Sequence, residues 1–502
     1  MGRSLLGKAK LNAVANYAHF FLASLLTFFV SPVLAHSLGI EYFGIWKACQ
    51  KYLSFASISD GRSTQALKWV IAKSEGEPSE HGVEKKQRAI GSALIVSLIF
   101  LPMSLLVVAG IVYALPLLIN DLEAGDIQLV RILGLILGLN IIFSPLFGVP
   151  DAILVGTNQA YRSTSIQMVW LVVTNCIVVA LAYYGHGLVP IAGTFVVVAL
   201  LNGATLYLIC KKKVAWFGLL RPKKKQLTTF MSFSVWVLVW SFVARLLLSS
   251  EVLLIGSLIG AEAVAMYVFS SYIPQLAIAV CMMTCSSITP GLGALFGAKN
   301  FPRLKEIVAW VREVVYCLAI VFGGAILALN DAFVTLWVGP DYYIGDLPNV
   351  LMVILMIQLV LFRCEGQVQD ITLKIHIKVL WGASGVLLGL LLGGGLYHFW
   401  VPELSSLFIG LFVGRCIISV RFPWIVNSFL QMKQSINLRF IVGMCLLYLC
   451  HFVSGHIGSD GWGTLILQSI VTVAVLSVSS FILLLSQETR QQLLGKIEHQ
   501  VL

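Results

Sequence analysis

Apolar runs of roughly twenty residues follow one another along the whole chain, and each is long enough to cross a hydrocarbon core as a helix. Hydrocarbon offers no hydrogen-bond partner, so a spanning segment must satisfy its own backbone. Many such runs in one chain therefore leave a bundle of transmembrane helices as the fold. Composition agrees: 11% of the 502 residues are charged, against about 25% in soluble domains. No stretch between the runs is long enough for a soluble domain. The first ten residues, MGRSLLGKAK, are basic, but the apolar stretch behind them lacks a small-residue cleavage site. It reads as a first span and not as a removed signal peptide.

Fourteen spans are predicted, over 11–36, 42–72, 89–118, 128–154, 164–184, 189–210, 229–256, 263–289, 306–329, 348–372, 378–399, 404–428, 440–456 and 463–485. The second is interrupted by Lys47, Lys51, Asp60, Arg62 and Lys68, and loop charge is what retains it. With it, Lys85, Lys86 and Arg88, the run Lys211, Lys212, Lys213, Arg221, Lys223, Lys224 and Lys225, and Lys299, Arg303 and Lys305 all fall on one side, as do Lys374 and Lys378. The other side carries Glu41, Asp121, Glu123, Asp126, Glu262, Asp331, Asp341, Asp346, Glu403 and Asp460. Basic loops face the cytoplasm, so both termini are expected inside. The same distribution explains the net charge of +11 without nucleic acid, which is not an expected partner.

The chain repeats itself. Leu38-Gly39-Ile40-Glu41-Tyr42-Phe43-Gly44-Ile45-Trp46 opens the second span, and Ile259-Gly260-Ala261-Glu262-Ala263-Val264-Ala265-Met266-Tyr267 opens the eighth. An offset of six spans gives both halves the same orientation, a parallel repeat with a cleft expected between the halves. The expected division is a six-helix bundle over 1–210, a basic cytoplasmic linker over 211–228, a second bundle over 229–428, and two further helices with a tail over 429–502.

This repeated element resembles the first hairpin of the polysaccharide flippases in the multidrug/oligosaccharidyl-lipid/polysaccharide exporter superfamily. Ser59-Asp60-Gly61 with Ser63-Thr64-Gln65-Ala66-Leu67 adds to the likeness, as does the inner stretch from Gly297 to Lys305. The resemblance implies an all-α polytopic protein of two pseudo-symmetric six-helix bundles plus two C-terminal helices, V-shaped with a central cavity. It implies movement of an undecaprenyl-diphosphate-linked oligosaccharide from the inner to the outer leaflet of a bacterial plasma membrane. The lipid-linked glycan and membrane lipids are the expected partners, with glycan polymerase and chain-length proteins as candidate neighbours.

A charge at mid-bilayer costs roughly 2.5–3.5 kcal/mol even on a lenient scale, so it faces a cavity or a partner. Ten cations lie within the spans: Lys47, Lys51, Arg62, Lys68, Arg131, Arg245, Arg312, Arg363, Arg415 and Arg421. Six acids accompany them: Asp60, Asp151, Glu251, Glu313, Glu365 and Asp370. Lys68, Arg131, Arg312 and Arg421 lie near span ends and are expected to snorkel to headgroups. Lys51 and Arg62 fall ~40° and ~60° from Lys47 on a helical wheel, which makes one polar stripe. The expected substrate-binding set is Lys47, Lys51, Arg62, Arg245, Arg363 and Arg415, because Arg forks bind diphosphate oxygens in two-point fashion while Lys acts as a point charge. Structural pairing with acids on neighbouring helices is the alternative. Tyr42, Trp46, Trp236 and Trp240 are candidates for stacking on sugars, with interfacial anchoring as the other reading.

No phosphate loop occurs, and no cofactor is expected. A passive carrier, or one coupled to protons or sodium, is left, with Asp60, Glu365 and Asp370 as candidate coupling groups. On the tenth span Arg363, Gln367 and Asp370 share a face, which also fits an internal ion pair. No His-x-x-x-His pair or Ser/His/Asp set is spaced for catalysis, so an enzyme is not expected. Cys281 and Cys285, one turn apart, read as core and not as metal ligands. A drug or cation antiporter of the same fold would carry an acid-rich cavity, and a glycan polymerase or ligase would carry a large outer loop. A peptidoglycan-precursor flippase shares the chemistry.

Overall fold

The computed structural model describes residues 2–58, 63–74, 80–371, 375–432, 438–454 and 461–492. Regular structure among them is helical throughout, as segments that must satisfy their own backbone in lipid require. In chain order the helices are α1 (Gly2–Leu38), α2 (Ile40–Ser54), α3 (Ser63–Ser74), α4 (Glu80–Leu118), α5 (Asp126–Gly156), α6 (Ala160–Tyr183), α7 (Leu188–Lys213) and α8 (Lys224–Leu258). They continue as α9 (Ala261–Ser270), α10 (Tyr272–Gly297), α11 (Phe301–Trp337), α12 (Asp346–Ile371), α13 (Ile375–Phe399), α14 (Leu404–Leu430), α15 (Leu438–Ser454) and α16 (Trp462–Leu483).

Eleven of these are long and apolar enough to cross a membrane, or twelve when α9 and α10, bent by 53° at their junction, count as one. The chain is a multi-pass membrane protein. Each of the fourteen expected spans coincides with helix, but two fall short on length or composition. α15 is short, with an apolar stretch over Arg439–Val453. The expected second span is not one helix: α2 stops at Ser54, a 3-10 turn covers Phe55–Ile58, and α3 starts at Ser63. At 1.5 Å per residue, α2 alone reaches only about 22 Å, and its lysines lower its hydropathy further.

The repeated element recurs as repeated geometry. Gly39 and Gly260 stand immediately before α2 and α9 with φ of +88° and +138°, a region that side-chain-bearing residues avoid. Both helices that follow are short and broken from their continuation. The two copies also meet: a Cβ on Gly44 would collide with the carbonyl of Ala261. At this end Glu41 is surrounded by its own sign. Burial, then the charges of Asp126, Glu123 and Glu262, hold its carboxyl above the usual range.

The chain divides into two compact units: Met1–Arg245 with Gly256–Val264, and Leu246–Ile255 with Ala265–Leu502. In the first, α3, α4, α5 and α7 share a core of Leu67, Ile71, Ala93, Val96, Ile153 and Leu206. The segment after α7 is pinned to the head of α4. Gln87 Nε2 donates to the Trp216 carbonyl at 2.9 Å, Arg88 Nη1 to the Arg221 carbonyl at 2.7 Å, and the Lys86 ammonium lies 5.0 Å from the Trp216 ring centre. Lys86, expected in an open loop, is therefore buried on a helix.

In the second unit α10, α11, α12 and α15 share a core around Val315, Ala319, Val353, Ile357 and Val360, and Cys281, Cys285 and Cys364 belong to it. Among the described residues no group of His, Cys, Asp or Glu could hold a metal ion. Helices α13 and α14 approach through glycines at four-residue spacing, Gly389 and Gly393 against Gly410 and Gly414. Small residues let two backbones come close enough for dispersion to hold helices together where lipid supplies no hydrophobic drive. Asn300 caps α11 by accepting from the Arg303 amide at 3.3 Å, with Pro302 in the first turn, which accounts for the inner motif noted above. The C-terminal pair is tied to α11 at Glu313, which accepts from Arg439 Nη1 at 2.6 Å and from the Ser486 amide at 2.9 Å.

Candidate functional site

The intramembrane cations divide into those with counter-ions and those without. In the first unit Lys68 pairs with Asp151 at 3.1 Å, so it is not the snorkelling residue expected. Lys47 and Lys51 lie one turn apart on α2, but this helix stops at Ser54, so the single stripe expected to run on to Arg62 is not carried by one continuous helix. Among the described residues Lys47 has no carboxylate partner, and its ammonium lies 5.2 Å from the Phe43 ring centre. Phe55, one turn beyond Lys51, packs edge-on against Phe242 of α8, 6.0 Å between centres. Arg245 is one turn further along α8. Arg62 and Asp60 lie outside the described residues. Trp46 leaves the list of sugar-stacking candidates because it is buried against Phe195, whereas Tyr42 is exposed.

In the second unit pairing is more extensive. Arg415 was expected to face substrate, but it is 1% exposed and its Nη2 lies 2.8 Å from Glu251 Oε1. The same nitrogen donates to Ser250 Oγ at 2.5 Å and to the Leu247 carbonyl at 3.1 Å. A guanidinium so enclosed is a structural counter-ion, which is the second of the two readings above. Glu365, expected as a coupling group, is likewise enclosed. Arg312 grips it in two-point fashion, Nε to Oε1 and Nη2 to Oε2, both at 2.6 Å, while Arg312 Nη1 donates to Asn427 at 2.7 Å. Arg312 is thus held inside the bundle and does not snorkel. Arg421 is also held, with its guanidinium 4.4 Å from the Trp381 ring centre and 5.5 Å from that of Trp424.

The shared face of α12 is different. Asp370 takes its ion pair from Lys378 of α13, at 2.8 and 2.9 Å, and not from Arg363. Gln367 accepts from Thr289 of α10 at 3.3 Å. Among the described residues Arg363 has no hydrogen bond or ion pair, and its Nη1 is buried without a partner. Sequence spacing placed Arg363 and Asp370 on one face correctly. It missed Lys378, because a lysine near a predicted span boundary reads as a loop residue.

Among the described residues, then, neither Lys47 in the first unit nor Arg363 in the second forms an ion pair. Intramembrane cations of this kind face the bundle interior or a water-filled cavity and are candidates for a substrate or ion pathway. A family model described as polysaccharide biosynthesis protein matches residues 12–293, more than half of the chain. The uncharacterized membrane protein EpsK of Bacillus subtilis (strain 168) is 23% identical over 509 residues, covering 97% of this chain and 98% of that protein. Among solved structures, the lipid II flippase MurJ in an inward closed conformation has a TM-score of 0.68 at 12% identity, over 94% of this chain and 97% of that one. An inward-facing multidrug resistance MATE family transporter of the MOP superfamily has a TM-score of 0.59 at 15% identity, over 82% of this chain and 96% of that one. A multi-pass helical fold shared with MOP superfamily transporters and a family match over more than half of the chain lead to one conclusion: the chain belongs to the polysaccharide biosynthesis protein family.

Proposed function

We propose that this protein flips an undecaprenyl-diphosphate-linked oligosaccharide from the inner to the outer leaflet of a bacterial plasma membrane, by alternating access, for surface polysaccharide biosynthesis. The observation that carries the reading is that, among the described residues, neither Lys47 nor Arg363 forms an ion pair with an acid, although both lie in helices of a membrane protein. A drug cation would be repelled by such groups, whereas a diphosphate neutralises them. The family description supplies the polysaccharide, and the flippase of the same fold supplies the kind of movement. Lys51 and Arg245 are the further candidate cations of the first unit, and Asp60 and Asp370, the latter with a partly exposed carboxylate, are the remaining candidates for coupling to protons or sodium.

The test is complementation of a strain lacking the gene. Lys47→Ala and Arg363→Ala are expected to lower surface polysaccharide by about tenfold or more, since a charged hydrogen bond contributes about 1.5–3 kcal/mol. Protein abundance in the membrane should be unchanged. Arg363→Lys should restore part of the activity, because a point charge replaces a fork. Normal polysaccharide in both alanine variants would overturn the reading.

A further inference from the structure

Helices α13 and α14 touch again towards the end that the loop charges assign to the cytoplasmic side. A Cβ on Gly385 of α13 would collide with the Ile418 side chain of α14. Trp381 stands one turn before Gly385, and Arg421 one turn after Ile418. The close approach brings the Arg421 guanidinium to 4.4 Å from the Trp381 ring centre, and Trp424, a turn further along α14, lies 5.5 Å away. Both distances fall within the ~6 Å over which a ring attracts a cation. Stacking on a ring uses the face of a guanidinium and leaves its N–H edge for an acceptor. Among the described residues Arg421 has no hydrogen bond and no ion pair. Glu251, Glu365 and Asp370 of the same unit already have cations of their own.

The surroundings indicate where an acceptor comes from. Exposed side chains along the two helices include Leu380, Leu387 and Leu391 of α13 and Val413 and Val420 of α14, which suit hydrocarbon and not water. Arg421 therefore opens on lipid. Trp381 is under two turns from the start of α13, and Arg421 about two and a half turns from the end of α14. That puts the cluster towards the inner edge of the bilayer, where tryptophan is enriched and a long cation reaches headgroups. We propose that Arg421, Trp381 and Trp424 form a binding site for the phosphate of an anionic phospholipid, whose acyl chain lies along the leucine and valine row. Basic pockets between membrane helices on the cytoplasmic side take headgroups of this kind. The rings fix the guanidinium, and the phosphate accepts from its edge in two-point fashion. A zwitterionic headgroup brings a cation of its own, so a lipid with net negative charge is the better match to a cluster with one cation and no acid. The proposal is independent of what the protein carries.

Native mass spectrometry of the full-length protein in detergent, titrated with phosphatidylglycerol or with phosphatidylcholine, tests this at the first lipid bound. Wild type should hold the first phosphatidylglycerol about tenfold more tightly than the first phosphatidylcholine, the size of one charged hydrogen bond. Arg421→Gln should lose that preference and still accumulate normally, because its removal strands no acid. Arg421→Lys should keep part of it, since a point charge replaces a fork. Trp381→Leu with Trp424→Leu, which retains the charge but releases it from the rings, should also lose part. Lys212→Gln makes the same change of charge at an exposed position and should leave the preference intact. An equal loss in Lys212→Gln would reduce the preference to net charge and overturn the proposal, as would an unchanged preference in Arg421→Gln or equal retention of the two lipids by wild type. Displacement of phosphatidylglycerol by inorganic phosphate would make this a site for soluble anions and would also overturn it.

Discussion

At the scale of single residues, the decisive distinction is between cations that hold the protein together and cations left over for a ligand. Arg415 belongs to the first kind. Its contact with Glu251 is dry on both sides, and two of its nitrogens have no acceptor, so the pair is costly to build and costlier to break. Arg415→Ala would leave Glu251 as a buried unpaired carboxylate, at about 3–5 kcal/mol. The expected result is a large loss of protein from the membrane, measured by blotting, together with loss of activity. Replacing both partners by apolar residues, Arg415→Met with Glu251→Leu, should restore abundance. Recovery of neither would mean that the pair is not what stabilises this part of the bundle. The sequence showed that cations outnumber acids within the spans, and among the described residues Lys47 and Arg363 are among those that form no ion pair. It could not show which cation meets which acid, because Arg312 and Glu365 are 53 positions apart and Arg415 and Glu251 are 164 apart. Helical wheels compare residues on one helix only, and these pairs join different helices.

Among elements, the contact between α13 and α14 is the most sharply defined by residue type. Gly410 and Gly414 stand directly on the backbone of α13 at Gly393 and Gly389. Gly414→Leu would drive a side chain into main chain that cannot rotate away, at the upper end of the about 1–3 kcal/mol that overpacking costs. The expected outcome is a lowered melting temperature in detergent. Gly395→Leu on α13, where no atom lies within 4 Å of a new Cβ, is the matched control and should melt as wild type does. An unchanged melting temperature for Gly414→Leu would contradict the close packing. The helical elements were legible from apolar runs, and the repeat was legible from Gly39 and Gly260. The break inside the expected second span was less so. Hydropathy averages over a window, and the average hides a change from α-helix to a 3-10 turn at Phe55–Ile58.

For the whole molecule, the commitment is to topology and to what crosses with it. Cysteines at Asp121 and Asp341, both exposed, should react with an impermeant thiol reagent added outside intact cells. Cysteines at Lys212 and Lys299, also exposed, should react only after the cells are opened. Labelling at Lys212 from outside would reverse the orientation drawn from the loop charges. Lys86 is no use as a reporter on either side, since it is buried under Trp216. The most direct test of the account is transport itself, in proteoliposomes holding a short-chain polyprenyl-diphosphate-linked oligosaccharide, with an impermeant sugar-oxidising reagent reading how much reaches the opposite leaflet. The account predicts movement by the wild-type protein and a rate lower by about tenfold or more, at equal incorporation, for Lys47→Ala and for Arg363→Ala. Movement no faster than in protein-free vesicles, or alanine variants as fast as wild type, would contradict it.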